Sequence, residues 1–172
     1  MLFMDEGRFG RISVLRSCWA PAGVRPRVPR QVVRESLYAF AAVCPLHAEG
    51  FATISPRCNT DAMSRFLLDL FARWPDERLL MFLDGAGWHK SRRLPVPERL
   101  RLELLPAYTP ECNPVEHVWD EVREKGFANR LFPDLDAVEA RLKTELELLL
   151  HDPQRLRSLT CFPWIDSGFL YL

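Results

Sequence analysis

The chain has 172 residues, 48% of them hydrophobic, with 23 basic residues balanced by 23 acidic ones and five cysteines. That length and composition suit one globular domain with at most a short appendage, and the odd cysteine count with no C-x-x-C pair argues against a disulfide framework or zinc knuckle. No apolar run approaches the roughly 20 residues that span a bilayer, and the opening Met1 to Asp5 lacks the regions of a signal peptide, so a soluble cytoplasmic protein is expected.

Leu2-Phe3-Met4-Asp5 is a short apolar run ending in an acid and reads as a buried strand. A second strand is expected over Arg11 to Trp19, where Ile12, Val14 and Cys18 alternate loosely with polar residues. Ala20 to Arg34 holds Pro21, Gly23, Pro26 and Pro29 and reads as a loop. Ser36 to Cys44 is a third strand, and Gly50 to Ile54 continues the sheet. The period then changes: Met63, Phe66, Leu67, Leu70, Phe71 and Trp74 recur at three and four residues, which predicts a helix over 59–74. Leu79 to Leu83 is apolar on both faces, as a central parallel strand should be, and ends at Asp84. Leu100, Leu102 and Leu104 alternate with Arg101 and Glu103 in a further strand. Helices follow over 113–125 and 135–150. This order predicts an α/β fold, a mixed sheet with helices on its faces. The domain is expected over 1–152. Residues 153–172, with Phe162, Trp164 and Phe169, are a C-terminal tail of unknown role.

Two apolar strands thus end in aspartates, Asp5 and Asp84. Side by side and parallel, they would present both carboxylates at the carboxyl-end edge of the sheet, where α/β folds bind ligands. An acid directly after a buried run is costly unless paired or coordinating a cation. The alternative for each is a turn, since Asp5-Glu6-Gly7 and Asp84-Gly85 are good turn sequences. Glu116 follows Asn113-Pro114 at the start of a helix that buries Val115, Val118, Trp119 and Val122. It lies at the border of that stripe, either facing the strand edge or reaching back as a capping-box glutamate. Three carboxylates from separate segments make an oxygen-rich cage suited to Mg²⁺, with Mn²⁺ as a substitute. Two such ions about 4 Å apart would serve phosphodiester cleavage.

Three segments carry a family resemblance: Phe-Met-Asp-Glu at 3–6, Leu-Asp-Gly-Ala-Gly-Trp-His-Lys-Ser at 83–91, and Leu-Pro-Ala-Tyr-Thr-Pro-Glu-Cys-Asn-Pro-Val-Glu-His-Val-Trp at 105–119. Together they resemble the DDE superfamily endonuclease domain, in the bacterial insertion-sequence transposase branch related to mariner-like elements. The likeness runs from residue 3 to about 125, with a helical continuation to 150. The third segment is its most specific part. The resemblance implies a ribonuclease-H-like fold, with Asp5, Asp84 and Glu116 as catalytic metal ligands for two ions. It implies phosphodiester cleavage and strand transfer in cut-and-paste DNA transposition. The implied partners are transposon-end and target DNA and a second copy assembled on DNA, in a bacterial, nucleoid-associated setting. Family members carry a helix-turn-helix region upstream, so a separately encoded DNA-binding chain is a further expected partner. Gly85 departs from the Asn usual after the second Asp.

Charge is uneven although it sums to zero. Residues 1–60 carry eight Arg against four acids, and residues 88–101 carry five bases against Glu98; residues 110–152 hold eleven acids against five bases. Two basic segments, Arg25, Arg27 and Arg30 in one and Lys90, Arg92 and Arg93 in the other, are expected to contact DNA phosphates, although a merely uneven surface would look the same. For His89 the resemblance implies a phosphate or active-site contact, whereas a lone His in a basic loop reads by itself as a surface residue. Three other readings compete. A ribonuclease-H-like nuclease that never transposes would use similar chemistry. A haloacid-dehalogenase-like phosphatase would need an acid two residues after Asp84, where Ala86 stands. A DDE-domain remnant would bind DNA or a partner without turnover.

Overall fold

Long strands of mixed burial open the chain in the computed structural model, which describes residues 1–168. β1 (Leu2–Ile12) pairs antiparallel with β2 (Val32–Cys44), and β2 with β3 (Glu49–Ser55). Helix α1 (Thr60–Arg73) then carries the chain across one face to β4 (Leu79–Leu83), which lies parallel to β1 on its other side. β5 (Leu100–Leu104) runs parallel to β4 at the edge, giving the order β3-β2-β1-β4-β5. On the second face lie α2 (Val115–Val122), which continues into a single π turn over Arg123–Phe127, and α3 (Leu135–Leu150).

The alternation of β1 divides the core in two. Leu2 and Met4 pack with Met63, Phe66, Leu67 and Leu70 of α1, together with Met81 and Leu83 of β4. Phe3 and Phe9 pack on the opposite face with Val115, Val118 and Trp119 of α2 and Val138 and Leu142 of α3. Covered faces on both sides explain why β4 is apolar throughout. The fold is the ribonuclease-H-like α/β arrangement expected from sequence. Among the described residues no helix is long and apolar enough to cross a membrane.

The structure corrects the reading of the first hairpin. Arg11 to Trp19 is not a second strand: β1 itself runs on to Ile12, with a register shift between Gly10 and Ile12. Residues 13–31 form an excursion with one isolated bridge, Val14 to Ala128, and Trp19 stands fully exposed. The charged and glycine residues after Asp5 disguise the strand, yet pairing with the 13-residue β2 holds it extended. Long-range pairing here overrides local propensity.

Residues 153–168 form α4 (Pro153–Thr160) and α5 (Pro163–Gly168). Leu156 and Ile165 are buried in the α2–α3 core, and Trp164 meets Phe3 edge-on at 6.1 Å. Phe169 and the rest of 169–172 lie outside the described residues.

One glycine fixes how closely α2 approaches the sheet. A β-carbon on Gly7 would lie 2.8 Å from the Trp119 ring and 2.7 Å from Phe9. Gly7→Ala is expected to destabilise the protein by ~1–3 kcal/mol, as overpacking of a filled core does. Urea unfolding of the variant against wild type checks this.

Candidate functional site

Because β1 and β4 are parallel, the two aspartates that follow their apolar runs emerge at one edge. Phe3 pairs with Phe82, so Asp5 and Asp84 each lie two residues beyond a matched pair. The start of α2 closes the same edge. Asn113, itself buried, donates from Nδ2 to the Met4 carbonyl at 3.0 Å and accepts at Oδ1 from the Val115 N–H at 3.2 Å. This ties the helix entrance to the residue before Asp5. Asp5, Asp84 and Glu116 consequently line one cavity of about 490 Å³, together with Lys90, Tyr108 and Asn113. The Asn113 side chain thus caps the start of α2, and its own N–H bonds to the Pro110 carbonyl rather than to Glu116, so Glu116 is not a capping-box residue.

Each aspartate is held by one of its oxygens. Asp5 Oδ2 accepts from Trp119 Nε1 at 2.8 Å. Asp84 Oδ1 accepts from the Ala86 N–H at 2.9 Å and lies 2.8 Å from His89 Nδ1. Burial pushes the Asp5 carboxyl up to about 7, with the negative charge of Glu116 adding to the rise and the Trp119 bond opposing it. The Cys58 thiol, driven up to about 12 by burial and then by Glu6, Asp5 and Asp84, senses the same negative field. A cavity lined by three carboxylates, one of them raised this far, lacks positive charge, and Lys90 is the one basic side chain among its lining residues.

Glu6 and His89 brace the site from behind. Asp5 faces α2, and its neighbour Glu6 points to the opposite face of the sheet. There Glu6 Oε1 accepts from Trp88 Nε1 at 2.9 Å and from His89 Nε2 at 2.8 Å. The imidazole side chain is wholly buried between Glu6 and Asp84. Burial acts to lower its pKa, but the bond and charge of Glu6, followed by Asp84, outweigh it and hold the ring above its ordinary value. Glu6, Asp84 and His89 also offer ligand atoms within 4.8 Å of one another. Within this set Nε2 of the imidazole bonds to Glu6, and Nδ1 bonds to the Asp84 carbonyl at 3.1 Å.

The basic residues separate into three groups. Lys90 is at the cavity wall, its Nζ 3.1 Å from where a β-carbon on Gly85 would sit. Arg92 and Arg93 are exposed beyond it, Arg93 within 3.6 Å of the equally exposed Asp61. Arg25, Arg27 and Arg30 are exposed in the 13–31 excursion and do not line the cavity. The surface reading of His89 does not hold: the ring is buried beneath the basic loop, between Glu6 and Asp84. Sequence reasoning missed Glu6, Trp88 and the Asn113 tie, and took Trp119 only as core. The adjacent acids Asp5-Glu6 on one alternating strand were the available signal, since neighbours there must face opposite ways.

A mixed sheet in the order β3-β2-β1-β4-β5 with helices on both faces is a ribonuclease-H-like fold, and comparison with known proteins agrees. Residues 1–139 match the DDE superfamily endonuclease family, and the chain belongs to it. The protein y4pE/y4sA of Sinorhizobium fredii is 34% identical over 128 residues, 74% of this chain and 95% of that protein. Among solved structures, the Mos1 transposase paired-end complex with left transposon end matches with a TM-score of 0.67 at 15% identity. That match covers 98% of this chain and 53% of the other, so the chain spans about half the length of that transposase. The catalytic domain of Mos1 mariner transposase matches with a TM-score of 0.51 at 13% identity, over 93% of this chain and 80% of that domain.

The raised Asp5 pKa sets a pH signature. Its proton binds more tightly in the folded than in the unfolded chain, so its contribution to stability is complete below 3.8 and is lost as pH rises through about 7. Asp5→Asn, neutral throughout, should gain on wild type across that window. In chelator its advantage at about pH 8 should exceed that at about pH 3.5 by on the order of 4 kcal/mol. Denaturant unfolding across pH measures this, and a pH-independent difference would show that Asp5 does not titrate as described.

Proposed function

We propose that this chain is the catalytic domain of a cut-and-paste DNA transposase, cleaving phosphodiesters and transferring strands at Asp5, Asp84 and Glu116. The observation that carries the reading is the convergence of these three carboxylates, with Asp5 raised to about 7, on one cavity at the parallel-strand edge. That donor set fits Mg²⁺ or Mn²⁺: hard, oxygen-only and short of positive charge. Bound there, two divalent ions would neutralise phosphate charge and make the attacking oxygen more acidic.

The chain's own residues do the remaining work. Trp119 holds the Asp5 carboxylate and the Ala86 N–H holds that of Asp84, each through a single oxygen, which leaves the other oxygen for a ligand bond. Lys90 supplies a fixed positive charge at the cavity wall, and Arg92 and Arg93 extend it along the DNA backbone. Arg25, Arg27 and Arg30 lie on a separate arm and would meet phosphates elsewhere on the duplex. In the first reaction water adds to a phosphodiester and a 3′-hydroxyl leaves. In the second that hydroxyl forms a new P–O bond to target DNA as the target's own P–O bond breaks. No side chain becomes covalently attached to DNA. Residues 1–152 carry the site, and 153–168 buttress α2. The working assembly is a pair of copies on DNA in the bacterial nucleoid, with transposon ends recognised by a helix-turn-helix region encoded upstream or separately.

Two measurements test this. Mn²⁺ should stabilise wild type by mass action, about 2.7 kcal/mol at a hundred times Kd, and Asp84→Ala should lose most of that gain. An unchanged melting curve in Mn²⁺ would remove the metal site. DNA binding by this chain should be weak, indifferent to sequence and strongly salt-dependent, because phosphate contacts carry little sequence information. Changing Lys90, Arg92 and Arg93 together to Ala should lower the salt slope by about one per lost contact. Equal slopes for the two proteins would show that these side chains do not touch DNA.

A further inference from the structure

Tyr108 is an exception among the residues of the carboxylate cavity. Its φ is +61°, in the left-handed region that disfavours any bulky side chain. Asn129, at φ +57°, occupies the same region with a residue type suited to it, and its amide exchanges two bonds of 3.0 Å with the Arg16 main chain. Tyr108 gains nothing comparable: its side chain is fully exposed. An aromatic ring that buries no surface and sits on an unfavourable backbone does not serve folding. Strain of this kind persists where its surroundings impose it, and it clusters at functional sites.

Those surroundings are rigid on both sides. Before Tyr108, the Leu105 N–H bonds to the Leu83 carbonyl at 2.8 Å, which extends the β4–β5 ladder to the residue preceding Asp84. After it, Cys112 N–H bonds to the Thr109 carbonyl at 3.0 Å, and Asn113 holds the residue preceding Asp5. Across the loop, Thr109 Oγ1 donates to the Pro106 carbonyl at 2.7 Å, and Pro106 and Pro110 restrict the main chain. The ring is therefore presented at the rim of the carboxylate cavity from a loop braced by the two strands that carry its aspartates.

We propose that Tyr108 is a stacking platform for an unpaired nucleobase next to the phosphate held at Asp5, Asp84 and Glu116. The inference rests on the phosphodiester reading of that cavity and adds a subsite to it. A flat ring accepts the face of any base, so the platform favours single-stranded or frayed DNA without selecting sequence. The carboxylates and their cations hold the phosphate, and the ring takes the neighbouring base.

Binding of a labelled single-stranded oligonucleotide, in Ca²⁺ to fill oxygen ligands, tests the platform. Tyr108→Phe should bind as wild type does. Tyr108→Gly should bind about tenfold more weakly, yet melt at the same or a higher temperature, because glycine accepts φ +61° without penalty. That pairing of a loss in binding with no loss in stability separates a functional ring from a structural one. A set of oligonucleotides, each with one abasic nucleotide, should contain a position at which wild type loses its advantage over Tyr108→Gly. Equal binding by wild type and Tyr108→Gly overturns the platform and leaves the phosphodiester reading intact. A tenfold loss with no sensitivity to abasic sites overturns the base contact, assigning the ring to backbone instead. Absence of any DNA binding by wild type overturns both readings.

Discussion

The carboxylate of Asp5 is the constraint around which the site is arranged. It is an acid on a central strand, buried beside Glu116, and its one side-chain hydrogen bond comes from a neutral indole. A buried carboxylate without a cation is costly to keep charged. The surrounding structure does not relieve this with an arginine. It places Asp84 and Glu116 on the same cavity, which adds to the deficit of positive charge. Such an arrangement accords with the proposal that the missing charge arrives from outside as a cation, and the raised Asp5 carboxyl ties stability to pH. The closeness of α2 follows from it: Trp119 reaches Asp5 only because Gly7 leaves room for its ring.

The pair Asp5-Glu6 shows how one strand organises two layers. Alternation sends Asp5 towards α2 and Glu6 towards the α1 face. Glu6 gathers Trp88 and His89, and His89 in turn holds Asp84. The loop after β4 is thereby seated from behind while its aspartate stays in front. Asp84 is largely exposed and would otherwise depend on a five-residue strand and a glycine-containing turn for its position.

Much of this was legible in the sequence. The apolar runs before Asp5 and Asp84, the period of α1 and the border position of Glu116 all report burial patterns, and burial leaves a local trace in residue type. The length of β1 left none, because Glu6, Gly7, Arg8 and Gly10 look like a turn and are extended only through pairing with residues 36–43. His89 misled for a related reason. Neighbouring Lys90, Arg92 and Arg93 suggest a solvated segment, whereas its burial is set by Glu6, which is 83 residues away in sequence. The helices after Pro153 were invisible for want of a repeating apolar pattern; Leu156 and Ile165 each plug the core singly. Tyr108 lies within a motif that was read for its acid, and a positive φ at a tyrosine is not something composition predicts.

The excursion between β1 and β2 is pinched shut at its base. The Ser13 N–H bonds to the Gln31 carbonyl at 3.0 Å, and the Gln31 N–H returns a bond of 2.7 Å to Ser13 Oγ. Gln31 also clasps Phe132 through its side chain, donating to the carbonyl and accepting from the N–H. Closing a loop at a fixed neck costs only about 0.6 kcal/mol more for each doubling of its length. Beyond Arg16, the last residue tied to Asn129, extra length in the excursion therefore costs the sheet little. Insertions and deletions at its tip can be absorbed while the register of β1, and with it the position of Asp5, stays where it is.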